Sequence, residues 1–290
     1  MPKSNSRNLL VFVFTYIKPC AKIIIVNKLY EGVIMKEFFA WLFSQNNSSL
    51  KIGLFDGWHI LYLAVVFGGA ILLSVIGIKY PQYKDRLQRI MAYLTIGLYV
   101  IDFFIMPLSD SYDGISAYKL PFNICTLMAV LVPFVQFNKK FDKIRQPVVT
   151  LAIASSLMWM CYPGTALGGQ PPFSYIIFQT FMYHGFLFCW GVLNLSYGSV
   201  VYRFKTIYKE FIAILIMLVW AAFGNAVYDK GYNWFFIEES IFPFLPDEIM
   251  PLAVVFSVFG TSFVIYCAYF AIKAIFKKKT TSQKLTPSEN

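Results

Sequence analysis

The sequence predicts an all-α membrane protein, a polytopic helical bundle of about seven transmembrane helices. The first observation is composition. Of the 290 residues 58% are hydrophobic and only 14% charged, with a mean hydropathy of +0.60, well outside the range of soluble domains. The second is a run of long apolar segments, each bounded by a loop that is charged or contains Pro and Gly. The third is that basic loops alternate with acidic or uncharged ones, a pattern that orients spans in a bilayer.

Taken in order, residues 1–34 form an N-terminal extension. Its apolar run 9–17 is broken by Lys18 and Pro19 before 23–26 resumes, and neither half is long enough to span. It reads as an interfacial amphipathic segment, an imperfect extra span or a signal-like extension. Met35, followed by Lys36, Phe38 and Phe39, reads as the true initiator, in which case 1–34 is untranslated. A helical membrane domain is expected over 35–276, with spans at 58–78, 90–106, 121–137, 147–162, 173–197, 211–227 and 250–272. Asp56 suits the N-cap of the first and Pro121 the first turn of the third. The polar, lysine-bearing tail 277–290 is expected to be disordered.

Loop charge sets the expected topology. Lys79, Lys84, Arg86 and Arg89 follow the first span, and Lys139, Lys140, Lys143 and Arg145 the third. Arg203, Lys205 and Lys209 follow the fifth, and Lys273, Lys277, Lys278 and Lys279 the seventh. The intervening loops carry Asp110 and Asp113, then no charge over 163–172, then Glu238, Glu239, Asp247 and Glu248. The basic set is expected to be cytoplasmic, which places the C-terminus inside a cell membrane and the start of the first span outside. The net charge of +10 is thereby accounted for by helix anchoring and by anionic headgroups at the cytoplasmic face, and no basic soluble face offers itself to nucleic acid.

Metal and cofactor chemistry finds no support in the composition. The chain has two histidines and five cysteines, without CxxC or Cys/His spacing of the zinc-binding kind, so neither a metal nor a cofactor is expected. The expected partners are membrane lipids.

The topology puts scattered polar residues at one depth. His59 opens the first span, Asp102 lies about a turn inside the end of the second, and Asn123 and Cys125 begin the third. Thr180 and His184, spaced i, i+4, share a face of the fifth, and Asn225 ends the sixth. Uncharged apolar sequence around Gln179, Thr180 and His184 makes this stretch the organising one, because polar groups in hydrocarbon must meet each other or line a cavity. An outward-facing polar pocket is the simplest arrangement. Such a set suits acyl transfer or ester hydrolysis. Cys125 at a helix N-terminus, or Thr180, would be the nucleophile, His184 or His59 the base, and Asn123 or Asn225 a hydrogen-bond donor. Each residue also has a plainer role: His59 as an interfacial cap, Asp102 as a partner for Lys119, Cys125 as packing or as half of a disulfide with Cys161.

Four stretches carry a family resemblance: FDGWHIL at 55–61, LPFNICTL at 120–127, FQTFMYHG at 178–185 and GYNWF at 231–235. Their order and spacing resemble the YwaF-like family of small integral membrane proteins of Gram-positive and wall-less bacteria. The resemblance departs at Asn123, where that family usually has histidine, and at Trp234, where it tends to have tyrosine. A distant eukaryotic branch looks like lipid acyltransferases. The resemblance therefore implies chemistry on lipid acyl chains, with His59, Cys125 and His184 as the matching positions. Two other functions fit the same residues: a carrier or receptor for a small polar ligand, gated by loop 163–172, and a structural or partner-binding membrane protein.

Overall fold

The first helix, α1 (Gly57–Lys79), starts where the sequence places its cap. Asp56 Oδ1 accepts from the His59 N–H at 2.8 Å, and Oδ2 from the Gly53 N–H at 2.6 Å. A computed structural model of the chain describes residues 51–105, 119–163, 171–228, 232–238 and 245–284. The extension 1–34, Met35 and nearly all of loop 163–172 lie outside the described residues. After α1 come α2 (Lys84–Ile105), α3 (Ile124–Phe137), α4 (Asp142–Cys161), α5 (Tyr175–Ser196), α6 (Tyr208–Val227) and α7 (Met250–Lys284). All regular structure among the described residues is helical, and six of the helices are long and apolar enough to cross a membrane.

Three boundaries differ from the sequence expectation. Helix α4 begins at Asp142, so Pro147 sits inside it. Helix α7 runs on to Lys284, so the tail expected to be disordered from Lys277 is helical over its first part. Helix α3 starts at Ile124, with Asn123 as N-cap and Pro121 ahead of the helix instead of in its first turn. At 14 residues α3 rises about 21 Å, short of the ~30 Å hydrocarbon core.

Irregular backbone at membrane depth needs partners from the protein itself, and 119–123 has them. Tyr99 Oη donates to the Lys119 carbonyl at 2.6 Å, Thr126 Oγ1 to that of Leu120 at 3.0 Å and Trp220 Nε1 to that of Pro121 at 2.7 Å. The Asn123 carbonyl accepts from the Leu127 N–H at 2.9 Å. Three neighbouring elements thus hold the segment open just before Cys125.

Helix α5 packs against α1, α2 and α4, and α4 also meets α3, α6 and α7. These two helices form the centre, 61% buried over their most apolar windows against 17% for α1. On α1, Val65, Ile71, Leu72, Val75 and Ile78 stay exposed, and on α6 Ile216 and Val219 do. A contiguous apolar exterior of this kind is soluble only in lipid. Without a hydrophobic drive between helices, contact between α4 and α5 depends on close fit. A Cβ on Gly191 would stand 2.5 Å from Ile153 Cγ1 and 3.2 Å from the Val149 carbonyl oxygen.

The basic end is knitted by side chains that leave few loose groups. Arg145 donates to the Val135 carbonyl at 2.6 Å, to Asn194 Oδ1 at 3.1 Å and to Asp142 at 2.8 Å, placing a cation at the C-terminus of α3. Glu210, fully buried in the first turn of α6, accepts from Gln146 Nε2 at 3.0 Å, Thr150 Oγ1 at 3.0 Å and Tyr266 Oη at 2.8 Å. A helix N-terminus and that set of donors make a buried carboxylate tolerable without a basic partner.

Gly191→Ala is expected to cost about 1–3 kcal/mol through overpacking. Gly68→Ala, where nothing lies within 4 Å, should be neutral or slightly stabilising. Thermal unfolding of the two variants in detergent, followed by tryptophan fluorescence, checks the contrast.

Candidate active site

Opposite the basic end, the polar residues expected at one depth do collect at one end of the bundle. His59 is fully buried, and both its ring nitrogens are engaged. Nδ1 accepts from the Phe55 N–H at 2.9 Å, which leaves Nε2 as the protonated nitrogen, donating to the Met160 carbonyl at 2.8 Å. The ring also stacks on Phe55, itself held at φ 56. His59 therefore staples the start of α1 to the end of α4 and keeps no free nitrogen for proton transfer.

His184 differs in this respect. Its Nδ1 lies 2.8 Å from the Thr180 carbonyl one turn earlier, to which it must donate, so Nε2 is the acceptor. That Nε2 is buried and has no hydrogen-bond partner. The ring is stacked on Trp159 at 4.2 Å between centroids and meets Tyr183 edge-on at 4.8 Å. Phe181 stands between the two imidazoles, 5.7 Å from His59 and 5.1 Å from Trp159. The histidines thus belong to one aromatic layer without touching.

Cys125 is half-buried in the first turn of α3, whose N-cap Asn123 makes no side-chain cap bond. Its sulfur is within range of the backbone N–H groups of Cys125 itself and Thr126. Tyr183, next to His184, donates its Oη to the Cys125 carbonyl at 2.7 Å, bringing the two stretches together. Cys125 and Cys161 are both free thiols. Thr180 Oγ1 donates to Gln179 Oε1 at 3.2 Å.

The other predicted residues are bonded within the protein. Asp102, 1% exposed, pairs with Lys119 Nζ at 2.5 Å and accepts from Tyr175 Oη at 2.6 Å. Asn225 Oδ1 accepts from the Trp234 N–H at 2.9 Å and its Nδ2 donates to the Trp234 carbonyl at 3.3 Å. Asn123 Oδ1 accepts from the Phe235 N–H at 2.9 Å. These two amides clamp the turn Trp234–Phe236, where Phe235 and Phe236 adopt left-handed φ of 63 and 53. Such a conformation persists only when its surroundings fix it. Residues 232–235 therefore form a pinned aromatic wall beside α3, with Trp234 4.9 Å from Phe122.

Lys119 is the functional candidate that the sequence reading treated only as a partner for Asp102. It lies 3.5 Å from Gln179 Oε1 and within electrostatic range of both Cys125 and His184. Tyr175, Gln179 and Tyr183 were visible as an i, i+4, i+8 stripe on α5, the face turned to α2 and α3. Among the described residues no cluster of His, Cys, Asp and Glu is of metal-holding size.

His59→Ala is expected to destabilise the fold by about 1–3 kcal/mol, because it leaves the Met160 carbonyl and the Phe55 N–H unpaired. The reactivity of the Cys125 thiol in the folded protein should be unchanged. Denaturation midpoints together with alkylation rates separate the two effects.

Comparison with known proteins gives one family. The family model described as the TMEM164 family, a membrane protein family, matches residues 54–274, which includes every candidate residue. Neither a curated protein nor a solved structure matches the chain significantly. With a match over most of its length, the chain is a multi-pass membrane protein that belongs to the TMEM164 family.

Proposed function

We propose that this protein transfers or hydrolyses lipid acyl chains through a thioester on Cys125, with His184 as the base. The observation that carries this reading is the unpartnered Nε2 of His184, a buried acceptor whose tautomer is set by the Thr180 carbonyl. An imidazole oriented through one nitrogen and free at the other is the arrangement a general base requires. In the proposed reaction His184 Nε2 takes the thiol proton, and the sulfur forms a bond to the ester carbonyl carbon. The N–H groups at the start of α3 support the resulting oxyanion. Collapse breaks the ester C–O bond, and the departing alkoxide takes the proton back from His184. A lipid hydroxyl or water then gives its proton to His184 and attacks the thioester, restoring the thiol.

The same reading treats the chain as a YwaF-like bacterial member of its family, in a cell membrane with the basic end and the C-terminus cytoplasmic. The support is the segregation of Arg145, Lys84, Lys79 and Lys205 to the helix ends remote from Cys125. The candidate centre would then face the outer leaflet, where acyl esters reach it laterally. A structural role is the second reading, favoured by the bonds that His59, Asp102, Asn123 and Asn225 make within the protein. It predicts function unimpaired by joint substitution of His59, Cys125 and His184.

Purified protein treated with an acyl p-nitrophenyl ester is expected to take the acyl group. Cys125→Ala should abolish labelling, and His184→Ala should slow it by about 100-fold or more. Labelling at the wild-type rate in His184→Ala would overturn the assignment.

A further inference from the structure

The ion pair Lys119–Asp102 sits where a satisfied core would not need it. Asp102 is held by Tyr175, so one of its oxygens is engaged by α5 and the other by the lysine. The Lys119 backbone is fixed through its carbonyl by Tyr99, and its ammonium also faces Gln179. The side chain of Lys119 is 23% exposed while that of Asp102 is 1% exposed, so the cation retains an open side. An ammonium has three donors, two of them directed at Asp102 and Gln179. Buried pairs contribute little net stability compared with apolar residues of the same volume. Tyr99, which holds the Lys119 carbonyl, stacks on Tyr183, which holds the Cys125 carbonyl, and the Lys119 ammonium is within electrostatic range of the thiol and of the imidazole on which the proposed reaction depends.

We infer that Lys119 is a further catalytic residue of this centre. Its ammonium counters negative charge first on the Cys125 sulfur and then on the carbonyl oxygen of the acyl group, with Asp102 and Tyr175 as positioning residues. The inference rests on the acyl-transfer reading for its second part only. As the sulfur–carbon bond forms, the carbonyl π pair moves onto oxygen. That oxygen meets the N–H groups of Cys125 and Thr126 and the free face of Lys119. When the C–O bond to the leaving alcohol breaks, the pair returns and the charge on Lys119 is again balanced by Asp102 alone. No group other than the ester and the acceptor hydroxyl is consumed. The titratable groups around the thiol are Lys119 of the segment ahead of α3, Tyr99 and Asp102 of α2, and Tyr175, Tyr183 and His184 of α5. Helix α4 brings only Cys161 to this level among the described residues.

The test uses the full chain in lipid nanodiscs. Alkylation of Cys125 by iodoacetamide is followed against pH by peptide mass spectrometry, and acylation by an acyl p-nitrophenyl ester is followed separately. Because Lys119→Met alone strands a buried carboxylate, the double variant Lys119→Met with Asp102→Asn removes both charges together. It is expected to raise the pH midpoint of alkylation by about one unit or more and to slow acylation about 100-fold. Lys119→Arg should keep the wild-type midpoint. A folded double variant with the wild-type midpoint and acylation rate would overturn the inference. If the wild-type chain takes no acyl group, the acyl-transfer reading falls by itself. The alkylation midpoint still decides whether Lys119 governs the thiol.

Discussion

The meeting of α2, α5 and the chain before α3 depends on one contact, the pairing of Lys119 with the buried Asp102 near the end of α2. Removing one partner of such a pair costs about 3–5 kcal/mol, because the other charge is left in a low-dielectric interior. The pair therefore fixes α2, the chain before α3 and, through Tyr175, the start of α5 in one relative position. The irregular segment 119–123 follows from it, with its carbonyls taken up by Tyr99, Thr126 and Trp220. Because that segment replaces the first turns of a full-length span, the N-terminus of α3 ends inside the bundle.

The two ends of the bundle solve the problem of buried polarity differently. At the basic end Glu210, Gln146, Thr150, Arg145 and Asn194 use one another and leave nothing over. At the other end lie buried atoms without a hydrogen-bond partner: His184 Nε2, Trp234 Nε1, Ser174 Oγ and, in the same half of α4, Ser156 Oγ. Unpaired groups in an apolar interior are costly. Among the described residues these unpaired groups lie in the half of the bundle that holds Cys125.

Much of the architecture was legible in the sequence, because hydropathy and loop charge act over many residues at once. The helix order and the gathering of His59, Asp102, Asn123, Cys125, Thr180, His184 and Asn225 at one end follow from those averages. Boundaries were less so. Pro121 reads as a helix opener, but the Leu120–Pro121 pair lies in a turn ahead of α3, its carbonyls taken by Thr126 and Trp220. Asp142 begins α4 because its carboxylate pairs with Arg145 in that first turn. Depth in the span separates the two histidines in the sequence, His59 in a first turn and His184 about ten residues into its segment, but it does not show their bonding. Their difference lies in tertiary partners, the Met160 carbonyl from a residue 101 positions away in one case and none for Nε2 in the other. Lys119 reads in the sequence only as a partner for Asp102, because its approach to Gln179 depends on how α5 packs.

The central claim is that Cys125 carries an acyl group in the course of function. Its most direct test is the mass of the intact wild-type chain after incubation with vesicles of palmitoyl-containing phospholipid. The account predicts a hydroxylamine-labile increase equal to one fatty acyl group, located on the peptide that contains Cys125. An unmodified Cys125, or an adduct that resists hydroxylamine, would contradict it.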